Sequence, residues 1–269
     1  MVIATIIIIM NRKKTISLED RKKIQLEMLD EVHAFCKEKN IKYSLAFGTL
    51  LGAIRHKGFI PWDDDVDIMM PLPDLLRFKK EFKSEIIEYH DVDNDKYHCF
   101  PFSLLTYKPT YSKYGLFYRG IGVSIDLYVC IGIPESQELF FNNLMPLYNQ
   151  VIKANKRRFK IIRFLPIKTI PFFSKTQKKY RNYLFNNAVL YQNAHHYYMI
   201  AGPIKDWKIM SYDYDLFGDI IEAQFEDRVY SITGYYDKFL TLRYGDYMTP
   251  PPPEQQCPIH GGEYYWENK

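Results

Sequence analysis

Cysteine is scarce and scattered. The 269 residues contain four, Cys36, Cys99, Cys130 and Cys257, far apart and with no Cys-x-x-Cys pair. That excludes a disulfide scaffold and a paired-cysteine zinc framework, and it fits a reducing compartment. Long apolar runs are missing too. Val2 to Met10, interrupted by Thr5, is about half of what spans a bilayer, so no transmembrane helix is expected. The run lacks the basic start and small-residue cleavage site of a secretory leader, and the amphipathic pattern that follows points to Met10 as the true start. Glycine and proline, 13 and 15, are too few for a collagen-like or low-complexity chain. With 47% hydrophobic and 25% charged residues, the chain has the balance of a globular protein of one large domain or two small ones.

The most informative shortage is of acid. From Leu139 to Lys205 there is no Asp or Glu but there are twelve Lys or Arg, so a segment of +12 is set into a remainder of 24 basic and 32 acidic residues. Such a segregated field attracts anions: phospholipid head groups, nucleic acid or an acidic glycan. Thirteen aromatics lie in the same segment. Basic residues interleaved with Phe and Tyr suit an anionic membrane surface, and peripheral attachment at the inner, cytoplasmic face is the expectation.

Helical periodicity runs from about Leu18 to Lys39, started by Ser17 with Asp20 three residues on and stopped at Asn40. A strand is expected at Ile41 to Phe47, then a tight turn at Gly48-Thr49 and a short helix. Val66 to Met70 reads as a second strand closed by Pro71 and Pro73, and Asp74 as the cap of a helix from Leu75 to about Tyr89. Gly122 to Ile131 reads as a third strand, and helices are expected around Asp215 to Tyr230 and Tyr235 to Tyr244. Pro250 to Pro253 is a rigid turn-off.

Acids carry the chemistry. Asp65 and Asp67, two apart on an expected strand, project to one face, where like charges about 4 Å apart repel by about 4 kcal/mol. A hard divalent cation, Mg²⁺ or Mn²⁺, relieves that repulsion; the plain alternative is a solvated acidic turn. Gly48-Thr49 at a helix start exposes backbone N–H groups to a phosphate. Asp126 is the one charge in an apolar strand, where an unpaired carboxylate is costly. Either it is satisfied by a base such as Arg119, or it is a third carboxylate converging on metal or acting as general base. Arg55, with His56 and Lys57, suits phosphate or a solvated turn, and Trp62 suits a cytosine ring or packing. His195-His196 would point apart on a strand and is given no role; His260 is left between a loose tail and a lid.

The run from Phe47 to Met70, FGTLLGAIRHKGFIPWDDDVDIMM, closely resembles the nucleotidyltransferase-like core of the LicD and fukutin family. Tyr244-Gly245-Asp246-Tyr247-Met248 resembles the end of that family's domain, and Phe225-Glu226 before Tyr235-Tyr236-Asp237 resembles what precedes it. The resemblance implies a phosphotransferase that moves a phosphorylated alcohol, such as phosphocholine or ribitol phosphate, from a CDP-activated donor to a surface glycan. It maps the glycine-hydroxyl pair to Gly48-Thr49, the metal-binding acids to Asp65 and Asp67, the third acid to Asp126 and a further acid to Asp63. A zinc site like that of some animal relatives is not expected, since only Cys257 and His260 fall near each other.

The expected fold is α+β: a nucleotidyltransferase-like palm, a mixed β-sheet flanked by helices, carrying a basic helical insertion. Its expected parts are an N-terminal extension to residue 16, a core over 17–134, a basic lobe over 135–205, and C-terminal helices and tail over 206–269. In the expected reaction a hydroxyl of a glycan, which can be lipid-linked, attacks the alcohol-bearing phosphate of a CDP-alcohol and CMP leaves. Asp65, Asp67 and Asp126 hold the metal, and Gly48, Thr49, Arg55, Trp62 and Asp63 line the donor. Two other readings stay open: a nucleotidyltransferase that releases pyrophosphate, and a metal-free nucleic-acid binder that uses the basic segment, against which the run of acids speaks.

Overall fold

Ser17 and Asn40 bound the first helix, α1 (Leu18–Lys39), as their side chains predict. The Ser17 hydroxyl accepts the Asp20 N–H, and Asn40 closes the helix in the left-handed region at φ 50°. Ile24, Met28, Leu29, Val32 and Cys36 form its buried stripe. The computed structural model describes residues 15–95, 98, 100–114, 118–162, 172–201, 204–257 and 262–267. The apolar N-terminal run and the expected start at Met10 lie outside them, as do Cys99 and His260.

A mixed seven-stranded sheet organises the fold. It contains β1 (Ser44–Leu45), β2 (Asp67–Pro71), β3 (Ile87–His90), β4 (Ser103–Tyr107), β7 (Ser124–Ile133), β8 (His196–Ile200) and β9 (Ser211–Tyr212). The order is β1-β2-β7-β4-β3, with β8 also on β7 and β9 on β8. Only β2 and β7 run parallel; the other pairs in this sheet are antiparallel. The ten residues of β7 are buried from Leu127 to Ile133, which explains a near-continuous apolar sequence in the strand that three neighbours cover. Around this sheet lie α2 (Phe47–Arg55), α3 (Leu72–Glu81), α4 (Gln137–Ile162), α5 (Phe172–Asn187) and α6 (Tyr236–Tyr244). A small sheet joins β12 (Glu263–Trp266) to β5 (Thr110–Tyr114) and β6 (Tyr118–Gly120), and β10 (Ile220–Phe225) pairs with β11 (Arg228–Thr233). Among the described residues, no helix is long and apolar enough to cross a membrane.

Three expectations need correction. The helix after β2 starts at Leu72 and ends at Glu81, so Asp74 lies inside its first turn, bonded to Arg77 at 3.4 Å, rather than capping it. Ile87–His90 instead pairs with β4. The helix expected over Asp215 to Tyr230 is a hairpin turning at Glu226-Asp227, with Glu226 at φ 58°. Ile220, Ile221, Val229, Ile232 and Thr233 are β-branched, and pairing overrides the helical spacing there. Third, the acid-free segment is not wholly an insertion. Its helices α4 and α5 do form and pack together, but β8 returns to the central sheet beside β7.

Part of the positive charge of that segment is already used within the protein. Arg181 grips Asp93 with two bonds of 2.6 and 2.9 Å, and Lys178 reaches the same carboxylate at 2.9 Å. With Lys79 at 2.7 Å, they hold Asp93 well below the usual carboxylate range, the Arg181 bonds contributing most. Lys153, Lys156 and Lys179 are exposed.

Candidate active site

The parallel pairing of β2 and β7 places Asp67 opposite Asp126 in register. The Tyr128 hydroxyl stands between them, 3.1 Å from Asp67 Oδ1 and 3.3 Å from Asp126 Oδ2, so the two carboxylates are aimed at one point. Asp65 lies just before β2, which begins at Asp67 rather than at Val66. After burial, Asp65, Asp126 and Asp63, in that order, are the main influences pushing the Asp67 carboxyl well above its ordinary range. Asp63 is pushed up to about 7, by burial first and by Asp65 next. Asp64 points the other way and is buried in an ion pair with Arg21 at 3.4 Å. Alternation along the extended segment thus gathers Asp63, Asp65 and Asp67 on one side and uses Asp64 to anchor α1.

Thr49 and Gly48 serve this acid group. The Thr49 hydroxyl accepts the Asp67 N–H at 2.8 Å and is buried, so it fixes the first residue of β2. A Cβ on Gly48 would stand 2.3 Å from Asp63 Oδ2, so only glycine lets that carboxylate lie against the start of α2. The residue before it, Phe47, adopts φ 42°, a left-handed conformation costly for a bulky side chain. Its ring is held edge-on to Tyr128 at 5.0 Å, with the Arg243 guanidinium 5.2 Å from its centroid. Tyr244 is 41% exposed, and its hydroxyl feels both Asp67 and Asp63.

Two of the expected donor-binding residues have partners within the chain. Arg55 donates to the Tyr247 carbonyl at 2.6 Å, tying α2 to the segment after α6. Trp62 is half-buried and edge-on to His56, 6.2 Å between ring centroids. The Arg119 side chain lies outside the described residues. His196 pairs with Glu135 at 3.1 Å, and Cys257 is an exposed thiol. Sequence reasoning missed Tyr128 and Arg243. Tyr128 was within reach, because it follows Asp126 by two on the same strand and shares its face. Arg243 comes from an element distant in sequence, and no local pattern marks it.

A hard cation fits the chemistry of this donor set: oxygen ligands only, carboxylates that repel one another, and little protein ligation required when phosphate and water complete the shell. Among the described residues, no group of three or more His, Cys, Asp or Glu side chains stands ready-made around a metal position. The preformed element is the Asp67–Asp126 pair.

Residues 40–182 match the family described as LicD/FKTN/FKRP, nucleotidyltransferase domain. The chain belongs to this family. It is an enzyme, a LicD-type phosphotransferase. The lipopolysaccharide cholinephosphotransferase LicD of Haemophilus influenzae is 29% identical over 279 residues, an alignment covering 94% of this chain and 99% of that protein. An uncharacterised protein of Rickettsia typhi is 38% identical over 68 residues, 25% of this chain and 22% of that protein. Another from Rickettsia prowazekii is 50% identical over 42 residues, 16% of each chain. The LicD-family match runs from before β1 into α5. It therefore includes the whole acid group and crosses the boundary expected at residue 134.

Proposed function

We propose that this enzyme transfers phosphocholine from CDP-choline to a hydroxyl of a lipopolysaccharide glycan and releases CMP, on a nucleotidyltransferase-like palm. The observation that carries the reading is the Asp67–Asp126 pair joined by the Tyr128 hydroxyl; the near full-length likeness to a lipopolysaccharide cholinephosphotransferase supports the substrates. The acceptor oxygen forms a bond to the choline-bearing phosphorus, the bond from that phosphorus to the bridging oxygen breaks, and CMP departs with the bridging oxygen. Asp65, Asp67 and Asp126 would hold Mg²⁺ or Mn²⁺. When bound, the cation would neutralise the diphosphate and the departing CMP. Tyr128 keeps the two carboxylates aligned, and Asp126 completes the metal site or takes the acceptor's proton. Arg243, over the Phe47 ring, adds positive charge at the rim. Gly48 gives Asp63 its place beside the donor, with Arg55 and Trp62 further along the same segment.

Incubation with Mg²⁺, CDP-choline and deacylated lipopolysaccharide, scored by the mass of the released nucleotide, tests the reading. CMP is expected. Pyrophosphate released from CTP, with every CDP-alcohol inert, would replace it by the nucleotidyltransferase reading.

The exposed Lys153, Lys156 and Lys179 support attachment to an anionic inner membrane face, at about 1 kcal/mol per basic residue near the lipid. In sedimentation at low salt, more protein should pellet with anionic vesicles than with neutral ones; equal pelleting overturns the attachment.

A further inference from the structure

Phe225-Glu226 stands at the tip of the β10–β11 hairpin, beyond the family match over 40–182. Both residues fasten the connection between α2 and β2. Glu226 does so with two short bonds: its Oε1 accepts the Phe59 N–H at 2.9 Å, and its own N–H donates to the Lys57 carbonyl at 2.7 Å. A Cβ on Gly58 would stand 2.3 Å from the same Oε1, and one on Gly52 would stand 2.4 Å from the Gly58 carbonyl oxygen. The loop is therefore pressed between α2 and the glutamate, in space that only glycines leave. Lys57 and Glu226 sit at φ 59° and 58°, a left-handed conformation that such residues keep only where their surroundings impose it. Behind them the Phe225 ring, fully buried, lies 4.8 Å from that of Phe59.

The fastened loop leads straight into the site. Asp63 donates its N–H to the Ile60 carbonyl at 2.9 Å, closing the turn that carries Trp62 and ends at Asp63, the acid that lies against Gly48. Lys22 of α1 supports the same turn from another element, reaching the Ile60 and Pro61 carbonyls at 3.3 and 3.4 Å and lying 4.9 Å over the Phe59 ring. Its bonds are long and those of Glu226 short, so the hairpin tip is the firmer support.

We infer that Glu226 is a positioning residue for the donor side of the site. It holds the loop from Lys57 to Pro61, and the loop sets Trp62 and Asp63. The inference rests on the proposed placing of a nucleotide donor along that segment and adds what keeps the segment in place.

Steady-state kinetics and thermal melts of the full chain test it. Glu226→Ala removes the acceptor of the Phe59 N–H and should raise the donor's KM about tenfold, as misplaced binding groups do, with little change in kcat or in the acceptor's KM. Glu226→Gln keeps an oxygen at the same place and should restore the parent's KM. Gly58→Ala, which sets a methyl group against Oε1, should raise the donor's KM as well. Combined with Glu226→Ala it should add little, because the obstructing oxygen is gone, so the two effects should not multiply. A lower melting temperature with an unchanged donor KM in Glu226→Ala, a glutamine variant as impaired as the alanine one, or multiplying effects in the double variant would each overturn the inference. If the enzyme releases pyrophosphate from CTP instead of CMP from CDP-choline, the same comparison is read on the KM for CTP, and the positioning role stands or falls apart from the proposed reaction.

Discussion

Replacing Asp67 by Asn should lower the rate of CMP release about a thousandfold or more while leaving the metal-free protein at least as stable as its parent. The two halves of this expectation come from one cause. Asp67 is buried among Asp65, Asp126 and Asp63, and burial together with their charges opposes its ionisation. Without a cation, the carboxylate strains the folded state. Asparagine has nearly the same shape, keeps an oxygen to accept the Tyr128 hydroxyl and carries no charge, so the strain is relieved. Catalysis needs that charge to hold a cation against a diphosphate, and removing such electrostatic support costs about 10² to 10³ at a single donor. Here the cation itself would be lost. Thermal melts in EDTA and in Mg²⁺ check the assignment. The parent should melt higher with Mg²⁺, as any ligand of the native state requires, and the variant should show no such rise. A variant that melts well below its parent in EDTA, or that releases CMP at the parent's rate, would show that Asp67 is an ordinary structural acid.

What could be read from sequence divides by the range of the forces involved. The bounds of α1 were legible because Ser17 and Asn40 act on backbone groups within four residues of themselves. Asp126 drew attention because one charge in an apolar strand is conspicuous, and the structure sets it beside Asp67 through a pairing that joins segments far apart in the chain. The register itself was not legible. Nothing local says that Asp67 rather than Met69 faces Asp126; the intervening elements decide that. The β10–β11 hairpin reads as helix from sequence because charged and apolar residues alternate loosely enough there to satisfy either period, and it is the mutual pairing of the two segments that selects the strand. The basic segment was legible as charge and illegible as structure. Its Lys178 and Arg181 meet Asp93, which belongs to the stretch between β3 and β4.

Thr49 separates the two ways in which a hydroxyl after glycine can act. A phosphate cradle would leave its oxygen for the donor, whereas here the oxygen accepts the Asp67 N–H at 2.8 Å. Thr49→Val keeps the shape and removes that acceptor, leaving a buried N–H unpaired at the first residue of β2. The cost is about 1–3 kcal/mol of stability, and a displaced Asp67 should lower kcat about a hundredfold, the usual result of misplacing a reacting group by an ångström. Thr49→Ser retains the hydroxyl and should restore both the melting temperature and most of the rate. The pattern of constants is the decisive measurement. If Thr49 positions Asp67, the valine variant loses kcat and stability together, with little change in the donor's KM. If it cradles phosphate, the donor's KM rises and the melting temperature stays where it was. The geometry favours the first outcome, because a single buried oxygen bonded to the backbone of the neighbouring acid is poorly placed to bind a ligand that must come and go.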